Sequence, residues 1–234
     1  MKNVLIACEE SQRVCTEFRR LGANAFSCDL QPCSGGHPEW HIQKNALNVI
    51  NGSTTFCTAD GNVIYDPTTF CTEDGKIHSI FMWDLIIAHP PCTFLSAAGA
   101  VRLFDKEHKI KDYERFEKGL NAKQFFLSFI NAPCNHIAIE NPVPLKIYDL
   151  PKYDQIIEPF YFGDPWHKKT CLWLYGLPLL QKTNEVEPVG YWIGAHGHNK
   201  CPNGMSKGFR DQKTRSKTFP GIARAMAEQW IKVI

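Results

Sequence analysis

The run Trp83-Asp84-Leu85-Ile86-Ile87-Ala88-His89-Pro90-Pro91-Cys92-Thr93-Phe94-Leu95-Ser96-Ala97-Ala98-Gly99 reads as a strand that ends in a stiff loop. Leu85, Ile86 and Ile87 are continuously apolar, as expected of a strand buried on both faces of a sheet. Working outward, Asn3 to Cys8 and Ala25 to Cys28, ending at Asp29, read as two further strands. Between them Gln12 to Arg20 reads as a helix, with Val14, Cys15 and Phe18 at helical spacing and Gly22 beyond its end. A long charged helix is expected over Lys106 to Ile130, with Phe116, Leu120, Phe125 and Phe129 inward. Short strands follow at Ile137 to Ile139 and Cys171 to Leu174, and Met226, Trp230 and Ile231 mark a closing amphipathic helix. This alternation predicts an α/β fold, a mostly parallel sheet with helices on both faces, in a single domain over 1–234.

Composition narrows the class further. With 44% hydrophobic and 21% charged residues, 16 Gly and 15 Pro, the chain is neither collagen, coiled coil nor wholesale disorder. The formal net charge of +2 identifies no partner by itself. No apolar run approaches the ~20 residues of a membrane helix, and Val4 to Cys8 is too short for a signal-peptide core, so a cytoplasmic protein without membrane contact is expected. Ten cysteines occur without a single Cys-x-x-Cys pair, which removes the commonest zinc and thioredoxin signatures. Most are expected to be reduced and buried.

Two segments break the rhythm. Thr54–Gly61 recurs as Thr68–Gly75, and Asp-Gly between β-prone arms predicts tandem hairpins forming a flap inserted over 51–80. A short basic, Gly-rich segment spans 176–215. From Lys200 to Lys217, the basic residues Lys200, Lys207, Arg210, Lys213, Arg215 and Lys217 stand against one acid, Asp211, with Tyr191, Trp192 and Phe209 interleaved on the approach. Basic groups with aromatics suit a nucleic-acid backbone.

Chemistry concentrates where strands end. In an open α/β sheet, ligands bind outside the carboxyl ends of strands. Pro90 and Pro91 fix the loop there and remove its amide donors, so Cys92 is a thiol on a rigid support. Ile137-Ala-Ile-Glu140-Asn141-Pro142 repeats the arrangement with an acid. A thiol beside a carboxylic acid is the minimum for covalent catalysis on an electron-poor ring.

Pro90-Pro91-Cys92 with Phe94-Leu95-Ser96-Ala97-Ala98-Gly99 resembles the nucleophile motif of the DNA cytosine-5 methyltransferases, and Glu140-Asn141-Pro142 resembles their Glu-Asn-Val motif. Phe162-Gly163-Asp164-Pro165 to Leu174 is similar to their Gly-Val-Pro-Gln-x-Arg block. The resemblance implies a Rossmann-like methyltransferase fold, S-adenosylmethionine as cofactor, DNA as partner and a flipped target base. It casts Cys92 as the nucleophile at C6 and Glu140 as the acid at N3, with Pro91 and Asn141 completing the motifs. Lys168 or Lys169 falls where an arginine of the family holds the base. The cofactor is assigned to Cys8, Glu9 and Ser11 in the first turn, Asp29 on the ribose, Leu30 on the adenine, Asn45, His89 and Pro90; the first turn lacks the family's glycines. DNA is assigned to Ser96, Lys200, Lys207, Arg210, Lys213 and Arg215, and Ser216-Lys217-Thr218 stands in for the family's last motif. The interval Tyr175 to Arg215 is too short for the family's separate recognition domain, so recognition is expected to be minimal, carried by the hairpins, or shared through a partner or a homo-oligomer.

Four rival readings fit the same residues in part. A zinc deaminase fails because Leu95 stands where its third ligand belongs, and no metal is assigned to His196, His198 and Cys201. An adenine-N6 or cytosine-N4 amino-methyltransferase needs neither the thiol nor Glu140. RNA cytosine-5 enzymes use a second cysteine that Glu140-Asn141-Pro142 does not supply. The altered cofactor turn and the missing recognition domain favour a degenerate methyltransferase that only binds nucleic acid, whereas the presence of both Cys92 and Glu140 argues against it; it and the amino-methyltransferase stay as the alternatives.

Overall fold

The computed structural model describes residues 1–51, 54–57, 63–193, 206–209 and 212–234, and the side chains of 1–51, 66–192 and 214–234. The chain runs β1 (Asn3–Ala7), α1 (Arg13–Arg20), β2 (Asn24–Asp29) and β3 (His41–Gln43), then two hairpins, β4 (Thr54–Cys57) with β5 (Val63–Asp66) and β6 (Thr68–Cys71) with β7 (Ile77–Ile80). It continues through β8 (Leu85–Ala88), α2 (Ala100–Leu103), α3 (Tyr113–Ile130), β9 (Ile137–Asn141), β10 (Gln155–Ile157), β11 (Trp166–His167) and β12 (Thr170–Tyr175). Last come β13 (Gly190–Ile193), β14 (Ser206–Phe209), α4 (Gln212–Ser216) and α5 (Pro220–Trp230).

Seven strands form the central sheet in the order β10-β12-β9-β8-β1-β2-β3. Five of them, β3 to β9 across the sheet, are parallel; β12 runs antiparallel to both its neighbours. The fold is therefore α/β with a mostly parallel sheet, compatible with a Rossmann-like fold. Alternate strand residues feed two cores. Val4, Ile6, Leu85, Ile87 and Ala138 pack with Val14, Cys15 and Phe18 of α1 and Ile222, Met226 and Trp230 of α5. Leu5, Ala7, Ile86, Ala88, Ile137 and Ile139 pack with Phe126 and Phe129 of α3. Every apolar side chain of β8 is fully buried, as a strand covered on both faces requires.

Several expectations shift. The long helix starts at Tyr113, because Asp105 accepts from the amides of Glu107 and Lys109 and closes a separate turn before it. Asp112 then caps the helix by accepting from Arg115 N at 2.8 Å. Phe126, absent from the expected inward set, is fully buried. The stretch after β12 is also partly structural. Gln155 brackets Leu180 with two hydrogen bonds, and Trp230 Nε1 donates to Pro178 O, so residues 178–180 are strapped to the core. Farther on, β13 pairs in parallel with β11 and β14. Among the described residues no helix is long and apolar enough to cross a membrane.

The hairpin β6–β7 is built into the domain. Phe70 is 2% exposed, 5.1 Å from the ring of Phe26 and 5.9 Å from that of Trp83, whose Nε1 donates to Val49 O. Phe70→Ala is expected to lower the unfolding free energy by about 3–5 kcal/mol, read by urea denaturation. A change within ~0.5 kcal/mol, typical of surface substitutions, would contradict this packing.

Candidate active site

The sheet has one topological switch point. From β1 the chain moves outward through β2 and β3, then returns to β8 on the other side of β1. A crevice therefore opens beyond the carboxyl ends of β1 and β8, where open α/β sheets place ligands. Two loops border it: Cys8 to Gln12 after β1, and His89 to Ser96 after β8.

The first loop has no glycine, yet Cys8 (φ 60°) and Gln12 (φ 56°) are left-handed, a conformation costly for side-chain-bearing residues. The surroundings hold them there. Gln12 is fully buried; its Nε2 donates to His37 O at 2.8 Å and its Oε1 accepts from His37 N at 3.0 Å. Gly35 makes this possible, since a Cβ there would sit 2.5 Å from Gln12 Cβ. Glu9, assigned to the cofactor, instead caps α1: its carboxylate accepts from Val14 N at 2.8 Å and Cys15 N at 3.2 Å. Burial raises its pKa, opposed by the nearby His89 and those two amides. Ser11 is half-buried in the same turn.

Of the other cofactor candidates, Cys8, Asp29, Leu30 and Asn45 converge on one cavity, whereas His89 and Pro90 do not line it and are hydrogen-bonded to Glu140 and Asn141 instead. A cavity of about 250 Å³ is lined by Cys8, Cys28, Asp29, Leu30, Lys44, Asn45, Ala46, Pro91, Ala122 and Phe125. Asp29 Oδ1 accepts from Gln31 N at the cavity edge, and Leu30 is 72% exposed beside it. Asn45 spends its Oδ1 on capping Leu47 N. Sequence reasoning missed the contribution of Ala122 and Phe125, which were read only as parts of a packing helix. Pro91 in the wall leads directly to Cys92.

The nucleophile loop and the acid loop are sewn together. β8 and β9 are parallel neighbours with Ala88 opposite Ile139, so His89 leaves β8 beside Glu140, which is still in β9 and paired with Leu172 of β12. Asn141 Nδ2 donates to Pro90 O at 2.8 Å in the interior. Ala97 N donates to Val143 O at 2.9 Å, Leu145 N to Leu95 O at 2.7 Å, and Ser96 bridges to Pro144. Ser96, assigned to DNA, is thus 7% exposed and structural. Arg115 clamps the loop from α3, with Nη2 on Thr93 O at 2.6 Å and its guanidinium over Phe94.

Electrostatics ties the cluster together. Burial raises the pKa of Cys92 and the adjacent Glu140 raises it further, while Lys168 and Arg215 pull it down. Burial alone would raise the pKa of Glu140, but a hydrogen bond from His89 and the charge of Lys168 outweigh it, and the carboxyl sits below its usual range. The Lys168/Lys169 pair therefore divides: Lys168 acts on the site, whereas Lys169 is exposed and acts on Glu158. Arg215 is half-buried, and its Nε is buried without a hydrogen-bond partner. Lys200 and Arg210 lie outside the described residues; Lys207 and Lys213 lie on β14 and α4, with side chains outside them. Among the described residues no cluster of three or more His, Cys, Asp or Glu could hold a metal.

No family model matches the chain, and no curated protein is significantly similar to it.

The opposing influences on Cys92 give a signed expectation. Glu140→Gln removes a nearby negative charge and should speed alkylation of Cys92 by iodoacetamide near pH ~8, by up to ~10-fold per unit of pKa. Lys168→Met should slow it. Peptide-resolved mass spectrometry reads both, and equal or same-direction changes would contradict the arrangement.

Proposed function

We propose that the protein transfers a methyl group from S-adenosylmethionine to C5 of cytosine in DNA. One observation carries this reading: the β8 and β9 loops are hydrogen-bonded into one unit that presents Cys92 and Glu140 together, beside a cavity at the switch point. The resemblance in both motifs and their order supports it.

The cavity suits the adenosine part of the cofactor. At about 250 Å³ it lies just below the ~300–1,000 Å³ of whole-ligand pockets and is walled mainly by apolar side chains, with Asp29 for the ribose hydroxyls. Leu30 would cover the purine, and the left-handed Cys8 brings backbone close to the ligand. When bound, S-adenosylmethionine supplies an electrophilic methyl group on a sulfonium.

The chain's own groups do the rest. Cytosine becomes nucleophilic at C5 only after a thiolate has added at C6, and that addition needs the charge developing at N3 neutralised. Cys92 Sγ makes the bond to C6 and Glu140 acts at N3. Lys168 and Arg215 favour the thiolate against burial. Pro90 and Pro91 supply no amide hydrogens, so the loop is held instead through the carbonyl of Pro90 and the backbone of Leu95 and Ala97. Lys207, Arg210, Lys213 and Arg215 fall in one short stretch and are the groups proposed for the DNA backbone. An amino-methyltransferase reading leaves the joined Cys92 and Glu140 without a task.

Incubation with duplex DNA and labelled S-adenosylmethionine, followed by nucleoside analysis, should give 5-methylcytosine. Cys92→Ser should abolish it, and Glu140→Gln should lower kcat by about 10²–10⁴-fold, the usual share of a general acid. Asp29→Ala should raise the cofactor KM by about 10–100-fold with kcat little changed, since a charged hydrogen bond contributes ~1.5–3 kcal/mol. Methyl groups on N4 or N6, or DNA binding without product, would replace this reading.

A further inference from the structure

His89 belongs to neither motif's chemistry, yet it occupies the centre of the cluster. Its backbone is fixed on both sides: its amide donates to Ala7 O at 2.9 Å and Pro90 follows it. Its Nδ1 lies 3.1 Å from Glu140 Oε2, and the two side chains are only 10% and 15% exposed. A carboxylate can only accept, so Nδ1 carries the hydrogen. On the other side of the ring Nε2 is buried without a hydrogen-bond partner.

The charged groups around this ring come from several elements. Glu140 faces it from β9, and Glu9 acts on it from the turn after β1, with Glu10 acting on Glu9. Cys92 lies in the same loop, and Lys168 and Arg215 are the cations of the cluster.

A difficulty for the C5 reading points to a role for the ring. The acid that serves N3 must have a proton to give, yet the hydrogen bond from His89 and the charge of Lys168 outweigh burial and hold the pKa of Glu140 below the usual carboxylate range. We propose that His89 is the proton reservoir for Glu140, so that the His89–Glu140 pair, joined through Nδ1 and Oε2, is the acid that neutralises cytosine N3. This rests on the cytosine-C5 reading and specifies how its acid works. His89 acts through Glu140 and is a positioning and proton-holding residue.

The proton count closes. As Cys92 Sγ forms its bond to C6, the Nδ1 proton of His89 passes to the Glu140 carboxylate and from it to N3, which leaves the imidazole neutral and Glu140 again a carboxylate. The cytosine's electron pair, now concentrated at C5, would take the methyl group that S-adenosylmethionine supplies when bound, the methyl–sulfur bond breaking with its electron pair left on sulfur. Loss of the C5 proton to water then restores the C5–C6 double bond and expels Cys92 as thiolate with the electron pair of the S–C bond. The N3 proton returns through Glu140 to Nδ1. One proton is released per turnover, the one that left C5.

The test is the pH dependence of methyl transfer in His89→Asn, whose side-chain amide can still donate to Glu140 but cannot release a proton. The rate near pH ~7.5 should fall by about 100-fold or more, within the range of acid–base catalysis, with DNA affinity unchanged. The pH optimum should move at least ~1 unit toward acid, into the range where Glu140 takes a proton directly. His89→Gln should behave alike. Should neither variant fold, the ¹⁵N resonances of His89 in the wild-type protein should show both ring nitrogens protonated where the enzyme is active. A variant with the wild-type optimum, whatever its rate, or a singly protonated ring throughout the active range, would overturn the proposal. Wild-type protein that forms no C5-methylated product would instead remove the C5 reading, and this proposal with it.

Discussion

The hydrogen bond from Asn141 Nδ2 to Pro90 O is the contact on which the site depends. It lies in the interior, where an unmade bond leaves both a buried donor and a buried acceptor without water. Prolines 90 and 91 cannot offer their own amides to a neighbour, so the loop has to be held through its carbonyls and through residues beyond it. Asn141, Val143 and Leu145 do this from the adjacent strand's exit. Because β8 and β9 are parallel neighbours and β8 ends at Ala88, opposite Ile139, the loop after β8 starts beside Glu140, and no long excursion is needed to bring residues 92 and 140 together. Sheet topology thus supplies proximity, and the loop-to-loop bonds supply orientation.

The site also accepts local costs that the rest of the fold holds in place. Two side-chain-bearing residues are left-handed in the turn after β1, a buried carboxylate caps α1, and a buried histidine leaves one ring nitrogen unbonded. Strain and orphaned polar atoms persist only where surrounding structure over-determines them, and they gather at functional sites. All three sit at one crevice, bounded by the switch point of the sheet. Burial opposes charge on both Cys92 and Glu140, yet Lys168 acts on each in the direction that favours its ionised form. Lys168 therefore favours ionisation of two groups whose negative charges would repel each other.

Much of this frame was legible in the residues. Val4–Ile6 and Leu85–Ile87 are apolar without interruption and could only be central strands; the positions of Cys92 and Glu140 at strand ends followed from that. Other elements gave weak signals for physical reasons. His41-Ile42-Gln43 is too short and polar to read as a strand, yet His41 is fully buried because Ser27 Oγ and Gln31 O satisfy both ring nitrogens. The antiparallel direction of β12 is a matter of tertiary return and leaves no mark on a six-residue strand. Left-handed Cys8 and Gln12 were hidden because glycine is the usual sign of that geometry. Ser96 looked available from its motif, whereas its backbone bridge to Pro144 buries it. The part played by His89 depends on a neighbour 51 positions away, a relation no local pattern encodes.

The central claim is that one loop pair holds a thiol and a carboxyl group against the same pyrimidine. Trapping on duplex DNA containing 5-fluorocytosine tests it most directly, because fluorine at C5 blocks the elimination that would release the enzyme. With S-adenosylmethionine present, a covalent complex should accumulate, and peptide mapping should place the modified base on Cys92, with the yield strongly reduced in Glu140→Gln. Attachment at another cysteine, or no adduct from a protein that binds both DNA and cofactor, would contradict the account.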